Sequence, residues 1–163
     1  MSYDFAEHLH VQDAVYSIHA FPLNDYLVSL PFRPRFRNWP GCSNGYRATW
    51  GIQDRDQGPV LSLVALTAPV EDPLALVFGR ADLPVIATWF SGILRGSRGS
   101  ERRTGSAARI IYDDEIYLEI VSGRVAREWV LDLRSVPDQT DEELRLSLPS
   151  FLWGSRLRGE ASD

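Results

Sequence analysis

The sequence predicts an α+β, mainly β fold: an antiparallel sheet of hairpins carrying one or two short helices, one of them C-terminal. Three observations lead there. Apolar residues alternate every second position in several separate segments, as half-buried strands require. Polar or glycine-containing turns join those segments at hairpin spacing. The helix-compatible stretches are short and open with proline or with acidic residues. With 163 residues, 44% hydrophobic content, five Trp, six Tyr and seven Phe, the chain can fill one core, and two cores would each be very small. Residues 1–157 are expected to form one domain and 158–163 a flexible tail; no repeat, heptad run or linker interrupts them.

Ala14 to Ala20 alternates and reads as a strand. Pro22 suits the first turn of a helix, because its missing N–H would be unpaired there, so a helix is expected over about Leu23–Ser29. Leu30 to Asn44 holds Pro31, Pro34 and Pro40 and reads as an extended loop. Tyr46, Ala48, Trp50 and Ile52 share one face of a strand. The turn Asp54–Gly58 leads into Val60–Leu66, completing a hairpin. A short helix or turn fits around Pro73–Phe78, and Pro84–Arg95 reads as a strand. Gly96–Ser106 reads as a mobile loop and Arg109–Tyr112 as a short strand. Ile116, Leu118 and Ile120 share a face, and Ser122-Gly123 turns the chain into Val125–Leu133, the strongest hairpin signal. The acidic start of Asp138–Leu148 favours a helix by complementing its dipole, and Pro149 stops it.

Several blocks carry a resemblance: Gly45-Tyr46-x-Ala48-Thr49-Trp50-x-Ile52, Pro84-Val85-x-Ala87-x-Trp89-Phe90-Ser91-Gly92-x-Leu94-Arg95, and Tyr117-Leu118-Glu119-Ile120-x-x-Gly123-x-Val125. Together with Pro22-Leu23-x-x-Tyr26-Leu27 and Leu61-x-Leu63, they resemble a family of uncharacterised bacterial proteins over residues 22–132. The blocks are strand cores and turn glycines, so the resemblance informs fold and implies no enzymatic activity. Asn44 stands where that family has an arginine, and Gly96-Ser97-Arg98-Gly99 replaces its aliphatic-proline-glycine.

The net charge of −5 argues against nucleic acid as partner, since phosphate binding needs clustered positive charge. The charge is unevenly spread. Arg33 to Arg55 is net positive, as is Arg95 to Arg109, whereas Asp113 to Glu143 holds ten carboxylates against Arg124, Arg127 and Arg134. All seventeen basic residues are arginine. Cys42 has no disulfide partner in the chain, which fits a reducing compartment. Met1–His10 resembles neither a secretory signal nor an anchor, and no apolar run reaches the ~20 residues of a membrane span. A cytoplasmic protein without membrane contact is therefore expected.

No motif predicts catalysis, a cofactor or a metal. His8-x-His10 with His19 lacks further ligands and reads as a solvated pair. Cys42 has no histidine beside it and reads as an ordinary loop thiol. Asp113-Asp114-Glu115 reads as a solvated loop, because adjacent strand residues point to opposite faces and cannot converge on a cation. Gly96–Gly105 has no phosphate-loop spacing, although Arg98, Arg102 and Arg103 could grip an anion. Trp50, Trp89 and Trp129 are expected in the core; Trp39 and Trp153 fall outside the strand pattern, and Trp39 is the candidate interface anchor. The function expected is protein binding of the immunity type: neutralising a bacterial toxin by occlusion, with Asp113, Asp114, Glu115, Glu119 and Glu128 facing a basic toxin surface. The alternative is a small-molecule or carbohydrate-binding module using aromatics between the sheet and the arginine-rich loop.

Overall fold

A computed structural model of the chain describes residues 6–34, 36, 39–40, 42, 44–79, 82–104, 109–134, 140–152 and 158–159, with the side chains of 102–104, 109, 141, 144 and 147 left aside. The strands are β1 (Glu7–Val11), β2 (Ala14–Ile18), β3 (Arg47–Arg55), β4 (Gly58–Thr67), β5 (Val85–Ile86), β6 (Gly92–Arg98), β7 (Arg102–Thr104), β8 (Arg109–Ile111), β9 (Asp114–Val121) and β10 (Arg124–Asp132). The helices are α1 (Pro22–Ser29), α2 (Pro73–Phe78) and α3 (Asp141–Ser147), followed by a 3-10 turn at Ser150–Leu152. Among the described residues no helix is long and apolar enough to cross a membrane.

The mainly β class holds, but the sheet closes into a mixed barrel. Seven strands run in the order β10-β9-β6-β2-β1-β3-β4, and β10 meets β4 through Arg124 opposite Val60. β5 lies beside β4, while β7 and β8 pair separately. β1 and β3 are parallel, which corrects the all-antiparallel expectation. The long connection through β2 and α1 returns the chain in the same direction, which no two-residue hairpin could do.

Three tight turns set the registers. Gln12-Asp13 joins β1 to β2, with Gln12 at φ 54°. Asp56-Gln57 joins β3 to β4, and Ser122-Gly123 joins β9 to β10. The last is a pair of positive-φ residues, 48° and 84°, as a right-handed hairpin twist favours. Gly123 also has no room for a side chain, since a Cβ would sit 2.9 Å from the Ala87 carbonyl oxygen. Its N–H donates to Phe90 O at 2.9 Å and its carbonyl accepts from Leu61 N at 2.8 Å, knitting the closure.

Leu9, Ile18, Trp50, Leu61, Leu63, Leu94, Ile116 and Leu118 fill the barrel. Gly96 sits opposite both Ile18 and Ile116, and a Cβ there would lie 2.8 Å from Tyr16 Cβ and from Ile116 Cγ2. The strand therefore runs through the glycine-serine stretch that the sequence presents as a loop. Pro84–Arg95 is not one strand either: β5 ends at Ile86, and a turn through Phe90 precedes β6. Residues 102–104 form β7, another departure from the expected loop, and pair with β8 at 109–111, where a short strand is expected. β1 escapes sequence reading because Glu7, a carboxylate, takes an inward position with Leu9.

α1 buries Leu23 and Leu27. Tyr26 stacks on Phe78 of α2 at 4.8 Å and on Trp89 at 4.9 Å, and the Trp89 indole donates to Pro22 O at 2.9 Å. Trp50 is fully buried and Trp89 half-buried, but Trp129 is 38% exposed, against the expectation of a core position. β10 meets β4 only at Arg124, and residues 126–130 beyond that point are exposed. α3 begins later than the sequence suggests, and residues 138 and 139, Trp153 and 160–163 lie outside the described residues. Thr140 and Glu143 form a capping box: Glu143 N donates to Thr140 Oγ1 at 3.2 Å, and Thr140 N donates to Glu143 Oε2 at 3.4 Å.

Candidate functional site

The acidic run at the start of β9 is structural. Glu115 is fully buried; its Oε1 accepts from Arg95 Nε at 2.8 Å and from the Tyr117 hydroxyl at 2.7 Å, and its Oε2 from Tyr112 N at 3.2 Å. Arg95 Nη2 donates onward to Ile110 O at 2.7 Å, tying β8 to the outside of the sheet. Asp114 is buried between Arg98 and Arg134, at 2.8 and 2.6 Å. Desolvation works against its charge, but the two arginines more than offset that and hold its carboxyl below the usual carboxylate range. Asp113 Oδ2 accepts from Ser100 N at 3.0 Å. The solvated-loop reading of Asp113-Asp114-Glu115 is thus corrected. A buried carboxylate needs a paired cation, and β6 supplies Arg98 opposite Asp114 and Arg95, opposite Tyr117, diagonally across to Glu115. Glu115 consequently offers no surface to a partner, and Asp114 and Arg98 are already paired with one another.

The other expected contact residues scatter. Glu119 pairs with Arg127 at 2.7 Å, and Arg127 lies 4.3 Å over the Phe151 ring. Trp39 is half-buried with Arg47 5.7 Å from its ring. Arg102 and Arg103 lie on β7, and their side chains are outside the described residues. Glu128 is exposed on β10.

Two places remain open. The first is the outer edge of β10, which among the described residues pairs with no strand beyond Arg124. Ala126 to Val130 are all exposed there, Val130 at 58%. Glu128 and Asp132 add negative charge, and α3 contributes exposed Glu142, Glu143 and Leu146.

The second is a cleft of about 610 Å³ between the end of α1 and the chain that follows it, walled by Leu27, Pro31, Phe32, Pro34 and Phe36, with Arg33 and Asn44 as its polar groups. Phe32 is 90% exposed at the rim. Behind Asn44 runs a chain of hydrogen bonds. Asn24 Nδ2 donates to Asn44 Oδ1 at 3.5 Å, and the Tyr46 hydroxyl donates to Asn24 Oδ1 at 2.8 Å. Burial, and then the Glu7 charge, push the Tyr46 phenol well above its ordinary range. Cys42 is buried outside the named strands, its thiol donating to Tyr46 O at 2.7 Å.

Glu7 itself is 1% exposed. It accepts from Trp50 Nε1 at 3.0 Å and Ala48 N at 2.9 Å, yet desolvation dominates and pushes its carboxyl up to about 7. His8 and His10 are exposed on the opposite face of β1, and no group of three His, Cys, Asp or Glu among the described residues could hold a metal. Another cavity, about 490 Å³, lies against β6 and β8 with His19, Ile93, Arg95, Ile110 and Tyr112 in its walls, near where the sequence suggests a small-molecule site. Its arginine, Arg95, is occupied by Glu115 and Ile110.

Sequence reasoning overlooks Glu7 and the α1 cleft. The available signal for the cleft is charge: from Tyr26 to Gln53 there are four arginines and no Asp or Glu. In comparisons with known proteins, the chain matches no family model, no curated protein and no solved structure, so the resemblance drawn from the strand blocks rests on those residues alone.

Proposed function

We infer that the protein is a binding protein of the immunity type, neutralising a toxin by covering its surface with β10 and α3. The supporting observation is the edge of β10, which among the described residues has no strand paired to it beyond Arg124 and where Trp129 and Val130 are exposed beside Glu128. An exposed strand edge offers unpaired backbone groups to which a partner can add a strand. Aromatic and β-branched side chains beside it supply the desolvated centre of an interface, and the surrounding carboxylates steer a basic partner to it. The acidic contact rests on Glu128 and Glu142, because Asp114, Glu115 and Asp132 are paired with arginines and Glu143 caps α3.

The test is coexpression with the product of the adjacent gene. That product alone should kill cells, and the two should copurify. Trp129→Ala with Glu128→Arg should weaken the complex by a factor of about ten to a hundred and lower its salt sensitivity, because a steering carboxylate is lost. A neighbouring product that is harmless and does not bind would end this reading, as would a complex indifferent to both substitutions.

A further inference from the structure

We propose that the cleft beside α1 is a binding site for a small amphipathic organic anion, a carboxylate carried on an aliphatic or aromatic body. This is independent of the strand edge on which the protein-binding reading rests. The cleft's volume, about 610 Å³, lies within the range typical of small-molecule sites, and such sites combine apolar walls with a few convergent polar groups. Leu27 and Phe36 form packed walls: Leu27 is 1% exposed, and the Phe36 ring lies 5.5 Å from that of Tyr46. Phe32 stands almost fully in water, so a ligand that covers it gains the area the fold leaves uncovered.

The polar groups select the ligand's charge. Arg33 makes no ion pair among the described residues, unlike Arg95, Arg98, Arg127 and Arg134, each held by a carboxylate. Asn44 uses its carbonyl to accept from Asn24, and its own amide N–H group has no acceptor among the described residues. An arginine fork and an amide donor at one end of an apolar cleft suit a carboxylate, whose oxygens accept from both. A neutral ligand would leave that cation uncompensated, and a cationic one would be repelled.

The experiment is a two-dimensional NMR titration of the full chain with decanoate below its micelle concentration, with decanol and acetate as separate arms. Decanoate should shift the amides of Leu27, Phe36 and Asn44 and bind about tenfold or more tightly than decanol. Acetate should shift the same amides only at far higher concentration. Arg33→Gln should remove the preference for decanoate over decanol, and Phe32→Ser should weaken both. Both residues are exposed, so unchanged thermal melting of the variants is expected. Equal affinity for decanoate and decanol, or for decanoate and acetate, would overturn the proposal. So would shifts that avoid the cleft, or that survive Arg33→Gln with the preference intact.

Discussion

Glu7→Gln is the substitution whose effect the structure specifies most fully. The native carboxyl is sealed inside the barrel and titrates at about 7, against 4.5 for an ordinary glutamate. Because the folded state holds the proton more tightly than the unfolded state, the associated stability is complete below about pH 4.5 and is lost as pH rises through about 7. At 1.36 kcal/mol per pKa unit the whole loss is about 3 kcal/mol, of which about 2.5 kcal/mol falls between about pH 5 and pH 8. Glutamine is nearly isosteric but does not titrate. It has one oxygen where the carboxylate presents two, to Trp50 Nε1 and Ala48 N. One of these donors loses its acceptor, a penalty of about 1–3 kcal/mol that does not vary with pH. The expected result is therefore a crossing pattern: the variant is less stable than wild type at about pH 5 and gains on it by about 2.5 kcal/mol by about pH 8. Urea denaturation at closely spaced pH values measures this, and the other titrating groups cancel in the difference. In wild type the Trp50 indole resonance should move with a midpoint near 7. A stability difference flat across the range, or one that widens against the variant as pH rises, would refute the reasoning.

Other expectations follow from packing and pairing. Gly96→Ala should cost about 1–3 kcal/mol in the same urea assay, because its Cβ meets both Tyr16 and Ile116 at 2.8 Å. Arg95→Ala should destabilise more than Glu115→Ala. The first strands a fully buried carboxylate, at about 3–5 kcal/mol, whereas the second frees an arginine that is 38% exposed and can turn to water. Chemical denaturation of the pair and of the double variant measures the asymmetry; equal costs would show that Glu115 reaches solvent. Arg127→Ala should change stability by no more than about 1 kcal/mol, since its pair with Glu119 is exposed, and a larger loss would point to its contact with Phe151.

Local patterns carry as far as the elements. The alternation of Ile116, Leu118 and Ile120 around Ser122-Gly123 predicts the β9–β10 hairpin, and Pro22 and Pro73 mark the starts of α1 and α2. These signals work because strand period, turn conformation and helix-start chemistry depend on residues a few positions apart. The candidate sites were less legible. A run of carboxylates reads as solvent-facing until its partners are known, and Arg95 and Arg98 reach Glu115 and Asp114 only through the β6–β9 register. Glu7 has the same history in reverse: its polarity hides β1, since nothing nearby in sequence announces the indole of Trp50 that receives it.

By itself the sequence determined the mainly β class, the principal hairpins, the short helices and the uneven spread of charge. Only the tertiary structure decided that the sheet closes, that β1 runs parallel to β3, that the acids of β9 are consumed by arginines, and that Trp129 and Phe32 stay in water. The reason is range. Periodicity and turn chemistry act between neighbours along the chain, whereas closure, ion pairing and exposure depend on which distant strands meet, and that is set by the summed packing of the whole barrel.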